Sequence, residues 1–213
     1  MLCCDYSDPD VIRVGDTYYM TASSFNYVPG LPILTSADLV NWRLVNYALP
    51  NIPEPGYEIP RHACGVWAPA IRWHDGFFYI YYGMPDEGIY MVSTENPLGD
   101  WDTPVLVKPG KGLIDPCPFW DDDGRAYIIH GYAKSRIGIF PMSADGTHAI
   151  GEDKFLFDGT ANHPTIEGPK VYKRDGWYYI FAPAGGVATG WQVCLRSRSI
   201  SGPYETQVVL KQG

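Results

Sequence analysis

From Val171 to Ile180 the chain reads Val-Tyr-Lys-Arg-Asp-Gly-Trp-Tyr-Tyr-Ile, with runs of apolar and aromatic residues on both sides of an Asp-Gly pair. Asp-Gly between two such runs is a strong short-range signal for a β-hairpin, since both residues tolerate a positive φ. The sequence therefore predicts two antiparallel strands joined by a tight turn at this place.

The hairpin pattern occurs three more times along the chain. Asp75-Gly76 and Asp123-Gly124 lie between similar runs, and Gly15-Asp16 is a variant of the same turn. Strand-like sequence follows in the repeats, and the last three turns are spaced by about fifty residues. This period, with about four short strands, is typical of a propeller blade. No segment of a dozen residues has clean helical periodicity, so the sequence predicts an all-β chain.

The repeats predict one domain that occupies the whole chain. Two stretches rich in Pro or Gly, residues 50–65 and 108–118, interrupt the repeats and are expected to be surface loops. We expect a single β-propeller domain over residues 1–213, with blades at roughly 5–50, 60–107, 113–158 and 163–213.

The composition argues against several classes of function. The 213 residues include 24 Asp and Glu against 16 Lys and Arg, which gives a net charge of −8. A negative balance argues against nucleic acid or an anionic membrane surface as the main partner. No apolar run is long enough to span a bilayer. Aromatic residues make up 15% of the chain beside 23 Gly and 19 Pro, which favours short strands and tight turns.

Cysteine usage indicates the compartment. The cysteines are odd in number and widely spaced apart from one adjacent pair, which favours free thiols in a reducing environment over a disulfide framework. The first residues lack the basic segment and apolar core of a signal peptide. We therefore expect a cytoplasmic protein. The cysteines are Cys3, Cys4, Cys64, Cys117 and Cys194.

One position of the repeat is acidic in three of its four copies. It lies four residues before the first apolar residue of each hairpin and has a Pro one or two places after it. Acidic-Pro pairs also start turns, which is the purely structural explanation for any one of them. Because the first strand of each blade lines the channel of a propeller, we expect all four residues to surround one pocket. They are Asp8, Trp67, Asp115 and Glu167.

Carboxylates gathered in one pocket are suited to the hydrolysis of glycosidic bonds. Like charges raise each other's pKa, so one acid tends to keep its proton near neutral pH while another is ionised. Such a pair is the equipment of a glycosidase. His163 has no second His or Cys at metal-ligand spacing, so no metal ligand is predicted. The candidate substrate-binding residues are Phe25, Asn26, Trp67, Ile114 and Trp191.

With these motifs the chain resembles glycoside hydrolase family 43, five-bladed propeller enzymes that act on glycans containing xylose and arabinose. The resemblance is carried by residues 7–16, 67–69, 112–116 and 165–169. It implies an exo-acting β-xylosidase or α-L-arabinofuranosidase, or both, that acts on xylan, arabinoxylan or arabinan oligosaccharides with inversion of configuration.

The resemblance also implies a role for each residue. Asp8 is the general base that activates water, and Glu167 is the general acid that protonates the leaving oxygen. Asp115 raises the pKa of Glu167 and helps to orient it. Trp67 belongs to a wall that stacks on the sugar. No cofactor is required, a structural calcium near the propeller axis is implied, and the expected partner is an oligosaccharide, with neither nucleic acid nor a membrane.

Several alternatives stay open. The family has five blades, whereas four repeats are found here, so we expect a truncated propeller, with a closed four-bladed ring as the alternative. A truncated chain could keep the pocket and lose turnover, so a non-catalytic carbohydrate-binding propeller is a second interpretation. Retaining fructan and sucrose hydrolases are a third, but they carry Arg and Cys where this chain has Ile114 and Gly168. Xylose and arabinose both fit a pocket that excludes a hydroxymethyl group.

Overall fold

The computed structural model describes residues 4–212, which form strands, turns and loops without a helix. The all-β prediction is therefore confirmed for this part of the chain. Within it there is accordingly no helix long and apolar enough to cross a membrane. Cys3, one of the predicted free thiols, lies outside the described residues, and the other four cysteines are thiols that form no disulfide among the described residues.

The chain forms two compact units, with the division after Lys111. Each unit contains two four-stranded antiparallel sheets, and in every sheet the strands are hydrogen-bonded in chain order. Consecutive hairpins produce this order, which is also the strand order of a propeller blade. We call the part up to Lys111 the first unit and the part from Gly112 the second unit.

The first unit holds the first and second sheets. The first sheet consists of β1 (Asp10–Val14), β2 (Thr17–Thr21), β3 (Gly30–Ser36) and β4 (Arg43–Leu49). The second sheet consists of β5 (Trp67–His74), β6 (Phe77–Met84), β7 (Gly88–Thr94) and β8 (Val105–Pro109). Apolar side chains from both sheets form one buried cluster, which includes Leu31, Ile33, Ile71, Ile80 and Tyr82.

The second unit holds the third and fourth sheets. The third sheet consists of β9 (Ile114–Trp120), β10 (Ala126–Tyr132), β11 (Arg136–Met142) and β12 (Lys154–Asp158). The fourth sheet consists of β13 (Lys170–Arg174), β14 (Trp177–Ala184), β15 (Trp191–Ser197) and β16 (Glu205–Lys211). Buried apolar side chains of this unit include Ile128, Phe140, Val171, Ile180 and Leu195.

Two of the predicted hairpin turns have the backbone geometry that Asp-Gly favours. At Asp75-Gly76 and at Asp175-Gly176 both residues have a positive φ, between 47° and 91°. The flanking strands pair directly across each turn. This is the type I′ geometry, whose twist matches that of the strands. The turn between β9 and β10 is longer and comprises residues 121–125.

Within each unit, a side chain on the first strand of one sheet binds the backbone of the first strand of the next. In the first unit, Oδ2 of Asp10 accepts from the N–H of Ile71 at 2.9 Å and pairs with Arg72 at 2.6 Å. In the second unit, Sγ of Cys117 accepts from the N–H of Val171 at 3.4 Å. These contacts bring together the segments that precede the two strands, where the acidic residues lie.

Candidate active site

Asp8 lies just before β1 and has a left-handed backbone, with a φ of 50°. Pro9 disfavours the right-handed helical region for the residue before it, and a non-glycine residue at positive φ is uncommon outside turns and functional sites. The residue is exposed, and its Oδ2 accepts a hydrogen bond from Oγ of Ser23 at 2.9 Å. One carboxylate oxygen is therefore held while the residue stays open to solvent.

Ser23 follows β2 and connects Asp8 with the second sheet. Its N–H donates to the carbonyl oxygen of Ser7 at 3.0 Å, and its Oγ accepts from the N–H of Ala68 at 2.8 Å. Ala68 directly follows Trp67 and is also left-handed, with a φ of 30°. A single hydroxyl therefore joins the predicted base to the segment of the predicted sugar platform.

Phe25 and Trp67 are fixed around the same backbone bridge. Phe25 and Val66 exchange two backbone hydrogen bonds of 2.9 Å, and Nε1 of Trp67 donates to the carbonyl oxygen of Ala63 at 2.9 Å. At Gly65 a Cβ would lie 2.2 Å from the carbonyl oxygen of Phe25, so only glycine fits there. Both aromatic residues are half-buried, which leaves ring surface available to a sugar.

The loop of residues 50–65 is held against the second sheet by charged and aromatic contacts. The Arg61 guanidinium lies 4.4 Å from the ring centroid of Tyr57 and pairs with Asp86 at 3.4 Å and Glu87 at 3.5 Å. Burial and the nearby charge of Glu87 raise the pKa of Tyr57 to about 12. Its phenol therefore stays protonated and donates to Glu87. The loop is thus anchored at the end that leads into Trp67.

Asp115 repeats the backbone geometry of Asp8 in the second unit. It precedes Pro116 and has a φ of 55°, and its Oδ2 accepts from the backbone N–H of Gly168 at 2.8 Å. Unlike Asp8, it is buried, with 6% of its surface exposed. A buried carboxylate bound to the amide next to Glu167 is placed to influence that residue.

Glu167 is exposed and comes one residue before Gly168, which is left-handed with a φ of 56°. The N–H of Glu167 donates to the carbonyl oxygen of Pro183 on β14 at 3.1 Å, which fixes its backbone against the fourth sheet. The third sheet reaches the same segment through Asp115. The second unit therefore brings together the predicted general acid and the carboxylate predicted to modulate it.

The segment before Glu167 is supported by His163 and Trp191. His163 is 9% exposed, its Nδ1 accepts from Nε1 of Trp191 at 3.2 Å, and its carbonyl accepts from the N–H of Ile166 at 3.1 Å. The ring of Trp191 covers Gly185, where a Cβ would lie 2.3 Å from a ring carbon. Trp191 thus supports this segment, and its contact with a sugar stays a prediction.

Two further predicted substrate contacts lie beside the residues already described. Asn26 directly follows Phe25, Ile114 directly precedes Asp115, and both are half-buried. The side chain of Ile114 packs over Gly131, where a Cβ would lie 3.0 Å from Cγ1. Contact of either residue with substrate stays a prediction.

The structure changes the equivalence of the four positions. Counting back from the apolar residues treats Trp67 and Glu167 as counterparts of Asp8. By its left-handed backbone and its following proline, Asp8 instead corresponds to Ala68 and Gly168. Both of these residues donate their N–H to the acidic segment of the preceding sheet, through a serine or directly. Counting from the apolar residues therefore selects Trp67 and Glu167, which lie one residue before the true counterparts of Asp8 in the second and fourth sheets.

Sequence reasoning missed Ser23 and the backbone N–H groups of the two left-handed residues Ala68 and Gly168. The signal for the amides is the proline that follows each of them, Pro69 and Pro169. An alignment on these prolines, rather than on apolar residues, gives the correspondence that the structure shows. Ser23 has no comparable signal, because serines are common after strands and only the fold brings its hydroxyl to Asp8.

The calcium ion implied by the resemblance was tested against the residues present. Among residues 4–212, no group of three or more His, Cys, Asp or Glu side chains could hold a metal ion. His163 uses Nδ1 to accept from Trp191. Calcium also binds backbone carbonyls, amide oxygens and water, so the structural calcium implied by the resemblance stays a prediction.

Comparison with known proteins identifies the family. The family model described as Glycosyl hydrolases family 43 matches residues 1–211. The chain belongs to this family. The family resemblance inferred from residues 7–16, 67–69, 112–116 and 165–169 is therefore confirmed.

Curated relatives of this family 43 chain carry names of two activities. A protein of Xylanibacter ruminicola named "Putative beta-xylosidase" is 48% identical over 97% of this chain. A protein of Bacteroides ovatus named "Non-reducing end alpha-L-arabinofuranosidase" is 36% identical over 95% of the chain. In both cases the chain spans 39% of the relative's length.

A solved structure extends the family relation to the fold. A variant of a family 43 protein from Bacillus licheniformis is 31% identical and superposes with a TM-score of 0.85. The match covers 95% of this chain and 41% of that protein. The predicted fold class, a propeller of the family type with about four blades present, is confirmed by this match and by the four sheets.

Proposed function

We propose that the protein is a glycoside hydrolase that releases xylose or arabinose from plant cell-wall oligosaccharides by an inverting acid–base mechanism. The observation that carries the proposal is the bond from the Gly168 amide to Asp115, which places a buried carboxylate beside the exposed Glu167. Membership of family 43 supports the reaction class. The names of the two relatives support the choice of sugars.

Glu167 is the proposed general acid. A carboxyl group that keeps its proton near neutral pH needs a neighbouring negative charge or burial. Asp115 supplies the charge, since it binds the amide of the residue directly after Glu167. The exposed side chain of Glu167 can reach the glycosidic oxygen and protonate it as the bond breaks.

Asp8 is the proposed general base. Its carboxylate is exposed and is held by Ser23 through one oxygen. It accepts a proton from water while that water attacks the anomeric carbon, so configuration is inverted in a single displacement. Asp8 ends protonated and Glu167 ends ionised, and proton exchange with solvent restores both.

The aromatic residues of the first unit are proposed to bind the sugar. Phe25 belongs to the Phe25–Val66 bridge and Trp67 directly follows it, so the backbone of both residues is held close to the segment of Asp8. A rigid aromatic surface binds the apolar face of a sugar at a low cost in side-chain entropy. Xylose and arabinose both remain candidate sugars.

Hydrolysis of aryl xyloside and aryl arabinofuranoside, assayed beside binding of xylo- and arabino-oligosaccharides, tests the proposal. Release of free sugar that is lost in Asp8→Ala is the expected result. Binding of the oligosaccharides without any release would favour the second interpretation, a carbohydrate-binding propeller. If the protein neither binds the oligosaccharides nor releases sugar, both the hydrolase and the carbohydrate-binding interpretation are contradicted.

A further inference from the structure

We infer that Ser23 is a positioning residue for Asp8: its hydroxyl holds Oδ2 and leaves Oδ1 to take the proton of the attacking water. The inference rests on the proposed function, because it assigns the base role to Asp8. It deepens that function by naming the oxygen that acts and the residue that selects it. Both contacts of the hydroxyl lie within the first unit.

The direction of each hydrogen bond at Ser23 is fixed by its neighbours. The backbone N–H of Ala68 can only donate, so Oγ of Ser23 is the acceptor in the 2.8 Å contact. A serine hydroxyl has one proton, and the other short contact of Oγ is the 2.9 Å contact to Oδ2 of Asp8. The hydroxyl proton therefore points at Asp8, and the backbone of the second sheet holds it there.

The second oxygen of Asp8 is open to reaction. Within residues 4–111, the side chain of Asp8 accepts a hydrogen bond from the Ser23 hydroxyl, and the acceptor atom is Oδ2. A base needs an accessible lone pair at the moment of attack, which Oδ1 supplies. In the proposed step one O–H bond of water breaks and its proton goes to Oδ1. The water oxygen bonds to the anomeric carbon, and the bond to the leaving oxygen breaks as Glu167 protonates that oxygen.

Comparison with Asp115 shows what the hydroxyl changes. Both aspartates are left-handed and precede a proline, but Asp115 binds the Gly168 amide directly at 2.8 Å and is buried. In the first unit the hydroxyl of Ser23 stands between the carboxylate and the corresponding amide. The carboxylate that is bound through the hydroxyl is therefore exposed and can reach water, whereas the carboxylate that binds the amide directly is buried.

Four variants test the inference. Ser23→Ala removes the hydroxyl, while Ser23→Thr and Ser23→Val form a pair of nearly equal shape that differs in the hydroxyl. Ser93→Ala is the matched control, because the Ser93 hydroxyl donates to Asp102 at 2.8 Å in the second sheet, in a contact unrelated to the site. Far-UV circular dichroism and thermal unfolding establish that each variant is folded.

The kinetic readout is the separate measurement of kcat and KM for an aryl glycoside with a good leaving group. Loss of a hydrogen bond to a charged group predicts a fall in kcat of roughly ten- to a hundredfold in Ser23→Ala and Ser23→Val, with KM within about twofold. Ser23→Thr, which keeps the hydroxyl, and Ser93→Ala should keep the kcat and KM of the parent protein.

A second readout does not need turnover. Carbon-13 NMR of labelled aspartate carboxyls, with the Asp8 signal assigned by Asp8→Asn, reports the environment of this carboxyl in the full chain. We expect the chemical shift of the Asp8 carboxyl at pH 7 to change in Ser23→Ala and Ser23→Val but not in Ser23→Thr, because only the first two variants lose the hydroxyl that binds Oδ2. If the parent protein hydrolyses no glycoside but the Asp8 signal changes in this pattern, the proposed function fails and the role of Ser23 in holding Asp8 survives.

Other outcomes overturn the inference. If Ser23→Val and Ser23→Thr have equal activity and the same chemical shift for the Asp8 carboxyl, the hydroxyl does not act on Asp8. If both variants without the hydroxyl fail to fold while Ser23→Thr folds, the hydroxyl is structural and the positioning role is wrong. A fall in kcat without a change in the chemical shift of the Asp8 carboxyl contradicts it equally.

Discussion

Two aspartates with the same backbone conformation have different surroundings, and their proposed roles follow from this difference. Asp8 and Asp115 are both left-handed, each before a proline. Asp115 is buried and bound to a backbone amide, whereas Asp8 is exposed and bound to a hydroxyl. A bound, buried carboxylate acts on its neighbour through its charge, while an exposed one can exchange protons with water.

Glu167→Ala should separate substrates by their leaving groups. Because the variant cannot protonate the glycosidic oxygen, hydrolysis of natural oligosaccharides should fall by about 10²- to 10⁴-fold. Aryl glycosides whose leaving groups need no protonation should lose much less. Initial rates on xylobiose or an arabino-oligosaccharide and on an aryl glycoside measure both effects. Equal losses on the two kinds of substrate would remove the acid role from Glu167.

Asp115→Asn should lower activity by about tenfold or more and change the pH dependence. The negative charge beside Glu167 disfavours its ionisation, so its removal lets Glu167 lose its proton at lower pH. The high-pH limb of kcat/KM, which reports the general acid, should move to lower pH. A limb that stays in place would return Asp115 to the role of a turn residue.

At the scale of elements, the connections between strands hold the site residues. The proposed aromatic wall, formed by Phe25 and Trp67, depends on the loop of residues 50–65, which must pass directly against Phe25. Gly65 and Gly56 both have a φ of 88°, but only Gly65 is in contact with another backbone segment, since nothing lies within 4 Å of a Cβ at Gly56. Substitutions at the two positions therefore distinguish the cost of backbone strain, which both share, from the cost of the close contact, which occurs only at Gly65.

Gly65→Ala should cost more stability than Gly56→Ala and should also weaken substrate binding. Both alanines carry the left-handed strain of about 1–2 kcal/mol. At Gly65 the clash with the Phe25 carbonyl should add about 1–3 kcal/mol and displace the Phe25–Val66 bridge. Urea unfolding and KM measure the two effects. Similar stability and KM in both variants would show that the bridge does not set the aromatic wall.

An ion pair between a buried aspartate and a partly exposed lysine joins the third and fourth sheets. Asp121 contacts the ammonium group of Lys173 and accepts from the Tyr178 hydroxyl at 2.6 Å. Burial opposes ionisation of Asp121, but the hydrogen bonds from Lys173 and Tyr178 outweigh it and lower its pKa. Since the folded state lowers this pKa, the pair adds stability above the ordinary aspartate range, and that stability is lost as pH falls below about 4.

Asp121→Asn should therefore lower the free energy of unfolding by about 1–3 kcal/mol at pH 7. The difference from the parent protein should shrink as pH falls through the acidic range, where Asp121 of the parent takes up a proton. Asp123→Asn is the control from the same turn, because its pair with Arg125 is on the surface, and it should change stability much less than Asp121→Asn does. Urea unfolding between pH 3 and pH 7 checks this, and a difference independent of pH would contradict it.

At the scale of the whole molecule, repeated hairpins made the fold readable from the sequence. Asp-Gly turns and a period near fifty residues predict the sheets, because tight turns depend on local backbone preferences. The correspondence between sheets was less readable. In β5 the pairing with β6 shifts between Trp67 and Ala70, and an irregularity of this kind leaves no mark in a count of apolar residues. Ser23 was hidden for a related reason, since its role depends on contacts between sheets.

The proposed reaction belongs to the protein as a whole, and its stereochemistry tests the central proposal most directly. Proton NMR of the first sugar released from an aryl xyloside or arabinofuranoside, recorded before mutarotation, shows the anomeric configuration of the product. A single displacement with Asp8 as base and Glu167 as acid predicts a product of inverted configuration. A product that keeps the configuration of the substrate would contradict the roles proposed for both residues.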